Sequence, residues 1–255
     1  RTVLQAAQAE PTRWDTTPVA LGPCRWQFPT EEFMGDDDLV AVGADLEPET
    51  LIAAYCAGMF PMPVSKRQLG WFSPVSRGIL PIDGLHVSRS LRQSTKRYRV
   101  TVDEAFREVM TRCARINRPH GWIDDEFIDA YTHLHNLGWA HSVECRTPEG
   151  ELVGGLYGVA VGRMFYGESM FSRASNASKV ALAWLVARLK AGRRQHLQTN
   201  SARAMQAGLN VLQGQPANDW KNYDAHLDRV TLADLADFAR RRFTRAQRTQ
   251  FFVRP

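Results

Sequence analysis

What the chain has little of narrows the possibilities first. Its 255 residues include four cysteines, Cys24, Cys56, Cys113 and Cys145, scattered with no C-x-x-C pair and no His/Cys cluster. That pattern argues against a disulfide framework and against structural zinc, so a reduced, cytoplasmic protein is expected. No apolar run approaches the ~20 residues needed to cross a bilayer, and no membrane association is expected. The opening R-T-V-L-Q-A-A-Q-A-E-P lacks the long apolar core of a secretory signal. Acidic residues are the scarcer charge: 27 Asp and Glu against 32 Lys and Arg, a formal net charge of +5. A basic balance permits polyanion binding without requiring it.

What is present reads as a mixed α/β chain long enough for one large or two modest domains. Residues 1–24 show no sustained period and read as a flexible lead-in. Leu39 to Val42 is a short apolar strand. Glu47-Pro48-Glu49-Thr50 starts a helix with Leu51, Ile52, Ala54 and Tyr55 as apolar positions, closed by Gly58. Residues 25–75 then form a small N-terminal α+β domain. Phe60-Pro61-Met62-Pro63 and Trp71-Phe72-Ser73-Pro74 flank a basic loop, Lys66-Arg67. They read either as a proline-rich connection pinned by aromatics or as a platform for an unpaired terminal base.

From Ser88 a basic amphipathic helix is expected, with Arg89, Arg92 and Lys96 on one face and Arg97 beside them. A solvated face is the ordinary explanation, but no acid is interleaved, which favours phosphate contact. Val102 to Ala114 reads as an amphipathic helix. Asp124-Asp125-Glu126 opens another that runs through Phe127, Ile128, Tyr131 and Leu134 to Gly138. His133, His135 and His141 near its end invite a metal reading, yet no acid–base motif accompanies their spacing.

The stretch from Glu144 to Lys179 organises the rest. Ser142 to Cys145 and Leu152 to Val161 have strand character, with Pro148-Glu149-Gly150 as the hairpin between them. Gly154, Gly155 and Gly158 interrupt the second strand, which suggests a bulge or a close approach by another backbone or a ligand. Arg163 to Tyr166 is a further strand that runs into Gly167-Glu168-Ser169-Met170-Phe171-Ser172. Glu168 reads either as a solvated or arginine-paired carboxylate or as an acid in an apolar pocket beside reacting groups. A long helix follows within Ser172 to Ala191, with N-cap candidates Ser175 to Ser178 and apolar members Val180, Leu182, Trp184, Leu185 and Leu189.

G-G-L-Y-G-V-A (Gly154 to Ala160), F-Y-G-E-S-M-F-S (Phe165 to Ser172) and N-A-S-K (Asn176 to Lys179) resemble the central motifs of leucyl/phenylalanyl-tRNA–protein transferases. The likeness extends through G-W-I (Gly121 to Ile123), A-Y-x-x-L-H-x-L-G-x-A-H-S-V-E (Ala130 to Glu144), L-H-V-S-R-S (Leu85 to Ser90), W-F-S-P (Trp71 to Pro74), A-G-M-F-P-M (Ala57 to Met62) and D-D-L-V-A-V-G-A-D-L (Asp37 to Leu46). Residues 25 to 192 are covered. The resemblance implies an α+β fold: the small N-terminal domain packed on an N-acetyltransferase-like mixed-sheet domain over residues 76–230. It implies an enzyme that takes an amino acid from aminoacyl-tRNA and joins it to a protein N-terminus, with no metal and no cofactor; a monomer is expected. Beyond the resemblance, A-D-L-A-D-F-A-R-R-R-F and the arginine-rich end read as a C-terminal helix and a solvated basic tail over residues 231–255.

By the family resemblance, Met62 and Trp122 hold the terminal adenosine. The best-known members have Trp where this chain has Met62, which stacks less well on a base. Leu156, Phe165, Met170, Leu182, Leu185 and Leu197 line the amino-acid pocket. Glu168 orders the reacting groups, and the helix carrying Arg89, Arg92, Lys96 and Arg97 meets the tRNA acceptor stem. The resemblance breaks after residue 192. Most members have D-x-Q there, and continuing without gaps puts Gln198-Thr199-Asn200 on it. A register shifted by two would keep Gln198 as the family glutamine and place His196 on the aspartate. P-R-x-x-Y has no counterpart. Either way the aspartate is missing, which removes a base and an attraction for a cationic acceptor. Three readings stay open: the family's transfer to a protein N-terminus, transfer to a small-molecule amine, hydroxylamine or hydroxyl, and tRNA binding without catalysis.

Overall fold

The computed structural model describes residues 17–29, 37–65, 68–82, 84–116, 121–162, 164–196 and 251–253. The first ordered unit is built on a short sheet. Strand β1 (Leu39–Gly43) leads into helix α1 (Pro48–Cys56), which starts with Pro at its first position and closes on Gly58 at φ +79°. Asp45 sets the entry to α1: its carboxylate accepts from the Glu47 amide at 3.1 Å and the Thr50 hydroxyl at 2.7 Å. Strands β2 (Phe60–Ser65) and β3 (Gln68–Phe72) then pair as an antiparallel hairpin, and β3 also pairs with β1. The stretch that reads as a proline-rich connection is therefore a sheet element. Pro61 and Pro63 are tolerated because β2 is the edge strand.

Residues 76–88 lead to the second unit. Helix α2 (Arg89–Ser94) is shorter than the charge pattern predicts, so Lys96 and Arg97 fall in the turn that follows it. Its N-cap is Ser88, whose Oγ accepts from the Leu91 amide at 3.2 Å. Strand β4 (Arg99–Val102) occupies the start of the segment expected to be helical from Val102. The β-branched run Val100-Thr101-Val102 pairs with a strand instead. Asp103 then takes a left-handed conformation at φ +58°, and helix α3 begins only at Phe106 (Phe106–Ala114). Helix α4 (Asp125–Asn136) opens where expected. Asp124 caps it by accepting from the Phe127 amide at 3.0 Å.

Strands β5 (Ala140–Arg146), β6 (Leu152–Val161) and β7 (Met164–Ser172) complete a second sheet in the order β4-β5-β6-β7. Each of its pairings is antiparallel, so among the described residues this sheet is antiparallel rather than mixed. Helix α5 (Ala177–His196) follows β7. Of the segment expected to be a terminal helix and basic tail, residues 231–250 lie outside the described residues. Phe251–Val253 forms strand β8, which pairs parallel to β1 at the edge of the first sheet. The aromatic and β-branched F-F-V triplet suits a strand.

The second sheet is covered on both faces. On one face Leu91, Val143, Cys145, Val153 and Leu156 pack with Ala177, Val180, Ala181, Trp184 and Leu185 of α5. On the other, Tyr157, Val159 and Phe171 pack with α3 and α4 in a cluster that continues into Leu51, Ala54, Tyr55, Met59 and Trp71 of the first unit. One apolar core therefore runs through both sheets. Gly154 lets α5 sit close: a Cβ there would lie 2.6 Å from Ala177 Cβ. Among the described residues no helix is long and apolar enough to cross a membrane.

Candidate functional site

The pairing of β6 with β7 slips once. Gly158 faces Gly167 and Tyr157 faces Ser169, which leaves Glu168 as the extra residue of a β-bulge. A bulge breaks the alternation of the strand and re-aims one side chain. Gly158 is what permits it, because a Cβ at that position would come within 2.1 Å of the Tyr166 carbonyl oxygen and 2.6 Å of the Phe165 ring.

The released side chain turns toward two tyrosines. The Tyr55 hydroxyl of α1 lies beside Glu168 and acts on its carboxyl. The same hydroxyl lies 2.6 Å from the Tyr131 hydroxyl of α4. Tyr55 and Tyr131 are fully buried. In that pair either hydroxyl can donate, and the order of donors follows the protonation of Glu168. The result is a three-group chain from α4 through α1 to β7. Glu168 keeps a partly exposed side, yet burial of its carboxyl pushes its pKa from 4.5 up to about 7. The neighbouring Tyr55 hydroxyl and the positive charge of Arg77 act against that rise. Both tyrosine hydroxyls are pushed well above their ordinary range, first by burial and next by the nearby Glu168 charge.

The surroundings hold this chain in place. Arg77 donates to the Gly58 carbonyl at 2.7 Å and lies over the Phe60 ring at 5.6 Å. Tyr166 packs on Tyr55, with centroids 5.0 Å apart, and its hydroxyl donates to the Tyr55 carbonyl at 3.0 Å. Ser169, next to Glu168, has a buried hydroxyl with no hydrogen-bond partner among the described residues. Sequence reading counted Tyr55 and Tyr131 as apolar helix positions and passed over Arg77. The available signal was chemical: a tyrosine at the centre of a buried helix face needs a partner for its hydroxyl.

Trp122 joins the same aromatic set. It packs edge-on against Phe127 at 5.5 Å, Phe127 stacks on Tyr131 at 6.3 Å, and Trp122 keeps a partly exposed side. A crevice beside it is lined by Cys113, Ala114, Ile116, Gly121 and Ile123. Met62 lies part-buried on β2. Leu156, Phe165, Leu182 and Leu185 fall into one cluster, on the α5 face of the sheet. Met170 pairs with Leu156 on that face and is 38% exposed. The five expected pocket residues that are described thus share one face of the sheet while the Glu168 carboxyl reaches the other, and the bulge is where the two meet. Arg89, Arg92, Lys96 and Arg97 are all exposed, and none forms an ion pair among the described residues. Leu197, Gln198 and Asn200 lie outside the described residues.

The three histidines do not converge. His133 is exposed. His141 and His135 are buried and approach the Asp103 carboxylate at 2.8 and 3.7 Å. Asp103 also accepts from the Ser142 amide at 2.8 Å. Beside them Glu144 is fully buried, and burial raises its pKa; it accepts from Thr101 at 2.7 Å, Ser142 at 2.5 Å and the Ala105 amide at 3.4 Å. This polar set ties β4, β5 and the start of α3 together.

Comparison with known proteins identifies the family. Residues 79–216 match the family described as leucyl/phenylalanyl-tRNA protein transferase, and residues 44–75 match that family's N-terminal domain. The transferase of that name from Rhizorhabdus wittichii is 53% identical over 153 residues, 58% of this chain and 61% of its own length. The one from Zymomonas mobilis is 52% identical over 153 residues, 58% of this chain and 57% of its own. The one from Myxococcus xanthus is 50% identical over 159 residues, 60% of this chain and 68% of its own. The chain therefore spans about three fifths of the first two relatives. With the family match covering more than half of its residues, the chain belongs to the leucyl/phenylalanyl-tRNA protein transferase family.

Proposed function

We propose that this protein is an aminoacyltransferase that takes a hydrophobic amino acid, leucine or phenylalanine, from its tRNA and forms an amide with the N-terminal amine of an acceptor protein. The observation that carries the reading is Glu168, lifted out of strand register by the bulge and joined to Tyr55 and Tyr131. The acceptor amine attacks the carbonyl carbon of the ester. The ester C–O bond breaks, the terminal ribose leaves as a hydroxyl, and the amine proton must move. A carboxyl with a pKa of about 7 suits both halves of that transfer. The ester is already activated, so positioning and stabilisation of the oxyanion supply the rest.

Trp122, with Met62, holds the terminal adenosine. Leu156, Phe165, Met170, Leu182, Leu185 and Leu197 receive the amino-acid side chain. Gln198 and Asn200 take the acceptor side, and their lack of charge slows transfer to peptides that begin with Lys or Arg. The protein works as a cytoplasmic monomer. The test is incubation with leucyl- or phenylalanyl-tRNA and an Arg-initiated peptide, with the extended peptide read by mass. Slow transfer is expected from the parent, faster transfer from the Gln198→Asp, Asn200→Gln double variant, and loss in Glu168→Gln. If no amide forms with any peptide amine, the reading fails.

A further inference from the structure

Two segments that pack on each other hold a charge excess that the chain as a whole hides. Residues 84–102 and 169–196 together carry eleven Lys and Arg and no Asp or Glu, whereas the whole chain has a net charge of only +5. The first segment contains α2 and the second contains α5. They are joined by specific contacts. The Asn176 side-chain amide, one residue before α5, donates to Ser94 Oγ at the end of α2 at 3.0 Å. The Tyr98 hydroxyl donates to the Ser175 carbonyl at 2.9 Å. Leu91 packs into the α5 cluster with Ala177, Val180 and Trp184. Burial of Leu91, Ser94 and Thr95 fixes which side of α2 faces the protein. Arg89, Arg92 and Lys96 lie opposite, facing solvent.

Asn176 stands at φ +63°, and this bend puts the first turn of α5 beside the last turn of α2. Two further cations flank that junction: Arg173 just before the bend and Lys179 just after it. Both are exposed, and neither is in an ion pair among the described residues. With Arg97, exposed in the turn after α2, six cations without an ion pair among the described residues are thus presented from two elements held together by hydrogen bonds. We propose that Arg173 and Lys179 extend the α2 footprint into a two-element surface for the phosphate backbone of the RNA donor, an assignment that rests on the aminoacyl-tRNA reading above. Two elements with fixed spacing would also register the acceptor stem, because contacts to more than one phosphate define an orientation that a single short helix does not.

The experiment measures binding of a stable amide-linked phenylalanyl-tRNA from 50 to 200 mM salt, for the parent, Arg89→Ala/Arg92→Ala and Arg173→Gln/Lys179→Gln. A short 3′-aminoacyl-adenosine analogue serves as a second probe in each case. The Arg173/Lys179 variant is expected to lose about two from the salt slope, so that its loss of affinity across that range shrinks by about tenfold. Its affinity for the analogue should not change, which also shows that the variant is folded. If the Arg89/Arg92 variant loses slope and the Arg173/Lys179 variant keeps the parent's, the two-element surface is overturned while the donor reading survives. A parent that binds neither probe overturns both. Unchanged tRNA binding with loss of binding to phosphatidylserine vesicles would assign the patch to a membrane surface and overturn the proposal.

Discussion

At the scale of the residue, Glu168 carries the sharpest consequence. Its carboxyl titrates near 7 in the folded protein against an ordinary value of 4.5. The fold therefore prefers the protonated form. Its contribution to stability is fully present below pH 4.5 and is lost as pH rises through 7. Glu168→Gln keeps the shape and stays neutral at every pH. It should match the parent in urea unfolding near pH 4 and exceed it at pH 9 by up to about 3 kcal/mol. Transfer should move the other way, falling by about 10²–10⁴-fold, because an amide cannot take up a proton. Equal stability of parent and variant at pH 9 would show that the carboxyl meets no desolvation cost. The residue was visible in the sequence within F-Y-G-E-S-M-F-S; its partners were not. Periodicity counts Tyr55 and Tyr131 as core positions and says nothing of where a hydroxyl points. Their meeting spans 76 residues of chain.

At the scale of the element, the glycines of β6 separate two uses of a missing side chain. Gly154 and Gly158 both interrupt an apolar strand, and the sequence suggested either a bulge or a close approach. Gly154 is the close approach, to α5, and Gly158 is the bulge. Gly158→Ala would drive a Cβ into the backbone of β7, where no flexible side chain can yield. It should cost about 1–3 kcal/mol and displace Glu168 from Tyr55, reducing transfer even in folded protein. Gly167, its cross-strand partner, has open space around its missing Cβ and does not need a positive φ. Gly167→Ala should leave the unfolding midpoint within about 0.5 kcal/mol of the parent. Equal midpoints for the two variants would remove the packing account of the bulge. Elsewhere β6 was legible because Leu152 to Val161 is an apolar run set off from β5 by the Pro148-Glu149-Gly150 turn. The start of α3 was not, because Val102 fits a helical period as well as a strand. What decides it is Asp103, whose carboxylate is held by residues from β5 far along the chain. Glu144 is a similar case: a glutamate in a strand reads as solvent-facing until Thr101 and Ser142 are seen to enclose it.

At the scale of the whole molecule, the division into a small domain and a large one meets a core that ignores the boundary. Leu51, Tyr55 and Trp71 belong to the same buried cluster as Met110, Tyr131 and Tyr157. The site crosses the same line. Tyr55 comes from the first unit, while Tyr131, Tyr166 and Glu168 come from the second; the Tyr166 hydroxyl reaches the Tyr55 carbonyl across 111 residues. Units joined by a continuous apolar core lose it together, whereas units joined by a wet, polar interface melt separately. Thermal unfolding should therefore be one transition, with calorimetric and van't Hoff enthalpies equal and with tryptophan fluorescence and far-ultraviolet circular dichroism giving the same midpoint. Tyr131→Phe deletes one end of the bridge and leaves the Tyr55 hydroxyl with Glu168. It should lower that single midpoint by an amount equivalent to about 1–2 kcal/mol without splitting the transition. An early transition confined to the fluorescence signal, with the remaining secondary structure intact, would mean that the first sheet folds independently. Tyr55 would then reach Glu168 only by docking, and transfer would fail at the first of two melting temperatures rather than at one.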